Sequence, residues 1–110
     1  MTTYKEIKTI PEWQNVLQQS KEKPVLVFKH STTCPVSAAA YKEFTSFATE
    51  VDAYLVKVIE SRPVSKEIES DLSVQHKSPQ ILLVSNGESV WNASHWNITE
   101  KNIEKAMEAQ

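Results

Sequence analysis

The chain has 110 residues, of which 40% are hydrophobic and 24% charged, with a net charge of −2. That is enough for one domain, residues 1–110, around one core, and it lacks the basic excess with which proteins hold nucleic acid. No stretch approaches the ~20 apolar residues of a membrane span, and the start Met1-Thr2-Thr3-Tyr4-Lys5-Glu6 has neither the basic residues nor the apolar run of a secretory signal, so a cytoplasmic protein is expected.

Residues 4–7 suit a short first strand, and Thr9 can cap a helix whose first turn holds Pro11 and Glu12. Trp13, Val16 and Leu17 supply its apolar stripe. Pro24 opens Val25-Leu26-Val27-Phe28, a continuous apolar run typical of a strand buried on both faces. Lys29 and His30, just beyond it, read as loop-edge residues, Lys29 as a solvated charge and His30 as a possible influence on a neighbouring thiol. A second helix is expected from Cys34 or Pro35 to Phe47, with Tyr41, Phe44 and Ala48 on its core face. Residues 54–59 read as a strand. Ser61 is placed to cap a helix carrying Val64, Ile68 and Leu72, with Glu67 and Glu69 outward. Residues 81–84 and Val90-Trp91 flank Asn86-Gly87, a strong signal for a two-residue hairpin turn that puts the chain's one glycine where φ is positive. Thr99, or Asn97, then caps a last helix with Ile103 and Met107 inward. The order β-α-β-α-β-α-β-β-α combines right-handed parallel crossovers with an antiparallel hairpin. The fold class is α/β, with a mixed sheet covered by helices on both faces.

The chemistry is expected at Cys34, the only cysteine, in His30-Ser31-Thr32-Thr33-Cys34-Pro35-Val36-Ser37. One cysteine excludes an internal disulfide, and a reducing compartment suits a lone nucleophilic thiol. Where a strand gives way to a helix, unpaired N–H groups and the positive end of the helix dipole favour the thiolate, so Pro35, Val36 and Ser37 are its candidate stabilisers. Ser37 stands where a Cys-x-x-Cys pair has its second thiol. A hydroxyl can donate to a thiolate but cannot form a disulfide, so exchange should stop at a mixed disulfide that an external thiol resolves. The three histidines have no metal-ligand spacing with Cys34, and no metal is expected. Asn92-Ala93-Ser94 and Asn97-Ile98-Thr99 match the glycosylation pattern by chance if no secretory route applies.

Cys34-Pro35-Val36-Ser37, Ser78-Pro79-Gln80 and the Asn86-Gly87 hairpin, in this order, resemble the thioredoxin-like fold along the whole chain. The resemblance implies that Pro79 is cis and that Ser78 offers its backbone to an extended thiol substrate. The approach to Cys34 is similar to that of glutaredoxins, but their Gly-Gly-x-Asp turn, which helps to hold glutathione, is replaced by Ala93-Ser94-His95-Trp96-Asn97-Ile98-Thr99. Thr-Cys-Pro-Val-Ser together with Ser-His-Trp-Asn-Ile-Thr resembles the monothiol bacilliredoxins. That likeness implies an oxidoreductase that takes bacillithiol from S-bacillithiolated cytoplasmic proteins, with bacillithiol as co-substrate and no tightly bound cofactor. The reductant would be bacillithiol or another redoxin, and a monomer is expected. Thr33, Ser78, Pro79, His95 and Trp96 are the candidate substrate groove, with His76 set aside as a site residue. The alternatives are a glutaredoxin-like protein handling glutathione or an iron–sulfur cluster, a thiol sensor, and a non-catalytic binding module of the same fold.

Overall fold

A computed structural model describes residues 3–46 and 51–109. Phe47 and Ala48, expected at the end of the second helix, lie outside the described residues.

Strand β1 (Lys5–Glu6) leads to helix α1 (Ile10–Gln19). Thr9 and Glu12 close a full capping box: the Thr9 hydroxyl accepts from the Glu12 N–H, and the Glu12 carboxylate accepts from the Thr9 N–H at 3.0 Å. Strand β2 (Val25–His30), helix α2 (Pro35–Ser46), strand β3 (Asp52–Lys57) and helix α3 (Arg62–Leu72) follow. The chain ends with strands β4 (Gln80–Ser85) and β5 (Glu88–Ser94), a 3-10 turn (His95–Asn97) and helix α4 (Glu100–Glu108), whose N-terminus Thr99 caps by accepting from the Asn102 N–H. Asn97, the other candidate cap, belongs to the 3-10 turn. Ser61 precedes α3 without a side-chain cap bond. The hairpin turn has both central residues at positive φ, Asn86 at 55° and Gly87 at 76°, the backbone twist that a two-residue connection between twisted strands requires.

The five strands stand in the order β1-β3-β2-β4-β5, with β1 and β2 parallel to β3 and the β2–β4 and β4–β5 pairs antiparallel. This is the α/β mixed sheet expected. Alternation along β2 divides the core. Leu26 and Phe28 pack with Ala40, Phe44, Leu55, Ile81, Leu83 and Ile103 under α2 and α4. Val25 and Val27 pack with Trp13, Val16, Val56, Val64, Ile68 and Leu82 under α1 and α3. Trp13 also donates its ring N–H to Asp71 at 2.8 Å, joining the two helices of that layer.

Lys29 corrects the sequence reading. Strand β2 continues through residues 29 and 30, and because strand side chains alternate in direction, Lys29 follows Val25 and Val27 into the α3 layer, where it is fully buried. Its Nζ lies 3.2 Å from the Ser65 carbonyl oxygen and 3.2 Å from His76 Nδ1. No described carboxylate lies within ion-pair distance of it. From the outer side of α3, Glu69 accepts from the His76 N–H at 2.5 Å. The segment leading into Pro79 is therefore tied to the sheet and to α3 by one buried ammonium and one carboxylate. Burial pushes the Lys29 pKa down to about 8, partly opposed by Glu69.

That depression has a defined sign. The folded pKa lies below the ~10.4 of an unfolded lysine, so the unfolded chain holds a proton that the folded one has shed between those values. The cost of burying the charge is complete below about pH 8 and fades as pH rises toward ~10.4. Lys29→Met is expected to stabilise the protein at pH 7 by about 1–3 kcal/mol, as replacing a buried charge by an apolar chain often does. In urea titrations the wild type should gain stability between about pH 8 and pH 10, and the Met variant should lose that gain.

Candidate active site

The sheet register assembles one end of the molecule. Lys29 pairs with Gln80, and Gln80 pairs with Ser94. The end of β2, the start of β4 and the end of β5 therefore share one edge, which carries the 31–34 loop, the Ser78–Pro79 bond and the 95–97 turn. The Ser78–Pro79 bond is cis. The His95 N–H donates to the Pro79 carbonyl at 3.1 Å, fastening the 95–97 turn beside the proline, and the turn packs against α2. Pro79 is buried. The Ser78 hydroxyl is shut off from solvent and has no hydrogen-bond partner among the described residues.

Cys34 immediately precedes α2 and is half-buried. Its carbonyl accepts the Ala38 N–H at 3.0 Å, the first bond of the helix, and its own N–H donates to Ser31 at 3.2 Å. Pro35 at the first helical position has no N–H to waste, and the N–H groups of Val36 and Ser37 lie in the unpaired first turn. Thr33 and Pro35 are exposed at the rim and Val36 is half-buried.

Ser37 is fully buried, three residues along the helix from Cys34 and hence on the same face. Its hydroxyl accepts the Ser31 N–H at 2.9 Å and lies 2.7 Å from His30 Nδ1. His30 comes from the end of β2 on the Phe28 face, where its ring stacks on Phe28 (centroids 5.5 Å apart, planes at 24°) and on Tyr41 (5.0 Å, 25°). Burial lowers the His30 pKa; Glu60 opposes that shift and Lys57 adds to it. The sequence reading considered His30 only for its nearness to the thiol. Its contact with the residue in the second-thiol position follows from carrying the β2 alternation two residues past Phe28.

His95 and Trp96 both stand at the exposed edge. Trp96 is 71% exposed, an unusual position for a large aromatic, and His95 has φ +54°, a left-handed conformation uncommon outside glycine and often found at functional sites. His76 belongs to the Lys29 cluster in the α3 layer, with its pKa lowered chiefly by burial and further by Lys29. Val58, Arg62, Lys66, Glu69 and His76 help to line a pocket of ≈ 210 Å³ beside that cluster. Among the described residues no three His, Cys, Asp or Glu side chains are grouped to hold a metal ion, and no helix is long and apolar enough to cross a membrane.

Comparison with known proteins places this geometry. The family model for monothiol bacilliredoxin BrxC matches residues 5–103. A solved structure described as a candidate oxidoreductase with a thioredoxin fold is 36% identical, with a TM-score of 0.84 over 93% of this chain and 91% of that one. Thioredoxin from Fasciola hepatica (15% identity, TM-score 0.75, covering 96% of this chain and 97% of that chain) is similar in fold, as is oxidised mitochondrial thioredoxin 3 from Saccharomyces cerevisiae (16%, 0.75, 97% and 95%).

Removing the Ser37 hydroxyl leaves the Ser31 N–H and the His30 ring nitrogen without their shared partner. Ser37→Ala is expected to cost about 1–3 kcal/mol, the usual penalty for orphaned buried polar groups, read as a lower urea midpoint at unchanged slope.

Proposed function

The chain belongs to the monothiol bacilliredoxin family and has its thioredoxin-like oxidoreductase fold, and from that premise we propose that it removes bacillithiol from S-bacillithiolated proteins of the cytoplasm. The observation that carries this reading is the contrast between residues 34 and 37. A half-exposed thiol opens α2, and one turn on, a buried serine stands where a resolving thiol would be.

The Cys34 thiolate attacks the bacillithiol sulfur of the mixed disulfide. A Cys34–bacillithiol disulfide forms, the original disulfide breaks, and the protein thiol leaves as a thiolate that water protonates. Ser37 cannot attack the new bond, so the capped enzyme waits for a second thiol. Bacillithiol then attacks, giving bacillithiol disulfide and free Cys34; a redoxin dithiol would instead release bacillithiol and free Cys34 in two exchanges and itself become a disulfide. In the first step Cys34 is oxidised to the disulfide level as the protein thiol is reduced, and in the second an external thiol is oxidised as Cys34 returns to the thiol.

Backbone N–H groups at the start of α2 face the negative charge shared among three sulfurs during exchange. Ser78 next to the cis bond offers main-chain groups for an extended substrate. His95 and Trp96 form the outer wall, where a hydrogen-bonding ring and an apolar surface meet the thiol's polar and carbon parts.

Single-turnover intact-mass spectrometry tests this directly. Reduced protein is mixed with a bacillithiolated test protein and, separately, with a glutathionylated one. Transfer of the bacillithiol mass to the wild type and none to Cys34→Ala is expected. Faster glutathione transfer would make the protein a glutathione-handling relative, and transfer from neither would leave a binding module. His95→Ala and Trp96→Ala should each slow transfer about fivefold, the effect of one lost contact of about 1 kcal/mol.

A further inference from the structure

We propose that the pocket between α3 and residues 73–78 binds a small molecule carrying a carboxylate on a short apolar chain, with Arg62 and Lys66 holding the carboxylate. Cys34 does not line this pocket, and the site needs no part of the thiol.

The α3 wall of the pocket is Arg62, Ser65, Lys66 and Glu69, spaced at i, i+3, i+4 and i+7 and so on one helix face. Val58 and Ile59, just after β3, and His76 complete the lining. Ile59 is 52% exposed, apolar surface that a ligand would cover. At ≈ 210 Å³ the space is smaller than the ~300–1,000 Å³ of sites for drug-sized molecules, so the occupant is small.

The charge around the pocket is unbalanced. Arg62 and Lys66 stand on its wall, and the buried Lys29 ammonium lies behind it, 3.2 Å from the Ser65 carbonyl oxygen and 3.2 Å from His76 Nδ1. None of these three cations has a carboxylate within ion-pair distance among the described residues. Glu69 is the one acid in the lining, and its carboxylate is already occupied by the His76 N–H. Three positive charges thus surround a pocket whose own carboxylate is committed.

Lys29 also fixes what His76 offers. With its pKa at about 8, Lys29 is an ammonium at pH 7 and can only donate, so the contact requires a bare Nδ1 and leaves the ring hydrogen on Nε2. Nδ1 also lies 3.3 Å from the Ser65 hydroxyl. The Nε2–H of this pocket-lining ring is left without a partner among the described residues. Arg62, Lys66 and His76 therefore bring donors and no acceptor, which selects an anion. The planar fork of a guanidinium matches a carboxylate with two parallel bonds. Val58 and Ile59 favour an anion with a carbon tail over inorganic phosphate.

The probe is sodium butyrate, titrated into ¹⁵N-labelled protein at constant ionic strength and followed by amide shifts. Saturable shifts centred on Val58, Arg62, Ser65, Lys66 and His76 are expected, with a Kd of about 1 mM for a ligand of this size. Butanol, which has the tail without the charge, and inorganic phosphate, which has the charge without the tail, should each bind about tenfold more weakly. Arg62→Gln should weaken butyrate binding about tenfold and Lys66→Gln about threefold. Both side chains are exposed, so both variants should keep the wild-type spectrum away from the pocket. Shifts that fail to saturate, or that centre elsewhere, overturn the site. Butanol binding as tightly as butyrate reduces the pocket to an apolar patch, and phosphate binding as tightly overturns the choice of a carboxylate. An affinity unchanged in both variants overturns the roles of Arg62 and Lys66. The wild-type titration needs no variant to fold, and bacillithiol transfer plays no part in the readout, so this site and the thiol chemistry are tested separately.

Discussion

Strand β2 is hydrogen-bonded along both edges, parallel to β3 and antiparallel to β4, and its side chains leave alternately for the two helical layers. Every position at the reactive end inherits that constraint. Phe28 and His30 are sent to the α2 layer and Lys29 to the α3 layer, with no freedom to exchange, because a one-residue slip would put the whole apolar set on the wrong side. Phe28 and His30 on one side and Lys29 on the other are thus aligned by the same two-residue period that builds the core.

Two polar insertions into an apolar framework follow from it. Lys29 is expensive where it stands, since its ammonium is buried with a carbonyl and a neutral ring as partners and no carboxylate within ion-pair distance among the described residues. What it secures is the position of the segment that ends at the cis Ser78–Pro79 bond, held from β2 by Lys29 and from α3 by Glu69. His30 and Ser37 form the second insertion, with two polar groups meeting at one hydroxyl. Each insertion lies next to a part of the site that must keep its place while bonds at sulfur are exchanged, one behind the proline and one behind the thiol.

Using one thiol places a particular demand on the fold. In a dithiol protein the second cysteine fills the buried position one turn into the helix and reacts from there. Here that position holds a hydroxyl, which must be satisfied at all times and cannot leave the helix to form a disulfide. Within the reading proposed above, such a site gives up internal resolution, because a hydroxyl cannot form a disulfide.

Strong local rules determined much of this protein from the sequence alone. Thr9 with Glu12, Pro35 at a helix start, Asn86-Gly87 between apolar runs and Thr99 before the last helix each act within four residues, and the elements they bound form where the sequence places them. The lone cysteine and the serine three residues on were equally legible, because helical spacing puts them on one face. Ser61 and Lys29 were not. A capping residue works only if the local backbone turns its hydroxyl inward, and at Ser61 it does not. A lysine after an apolar run reads as solvated unless the strand is known to continue, and only the pairing of β2 with β3 and β4 carries it through His30. The contacts of Lys29 with His76, of Ser37 with His30 and of His95 with Pro79 span 47, 7 and 16 residues. Local propensity has no view across such separations, so sheet order and register decided which polar groups would meet.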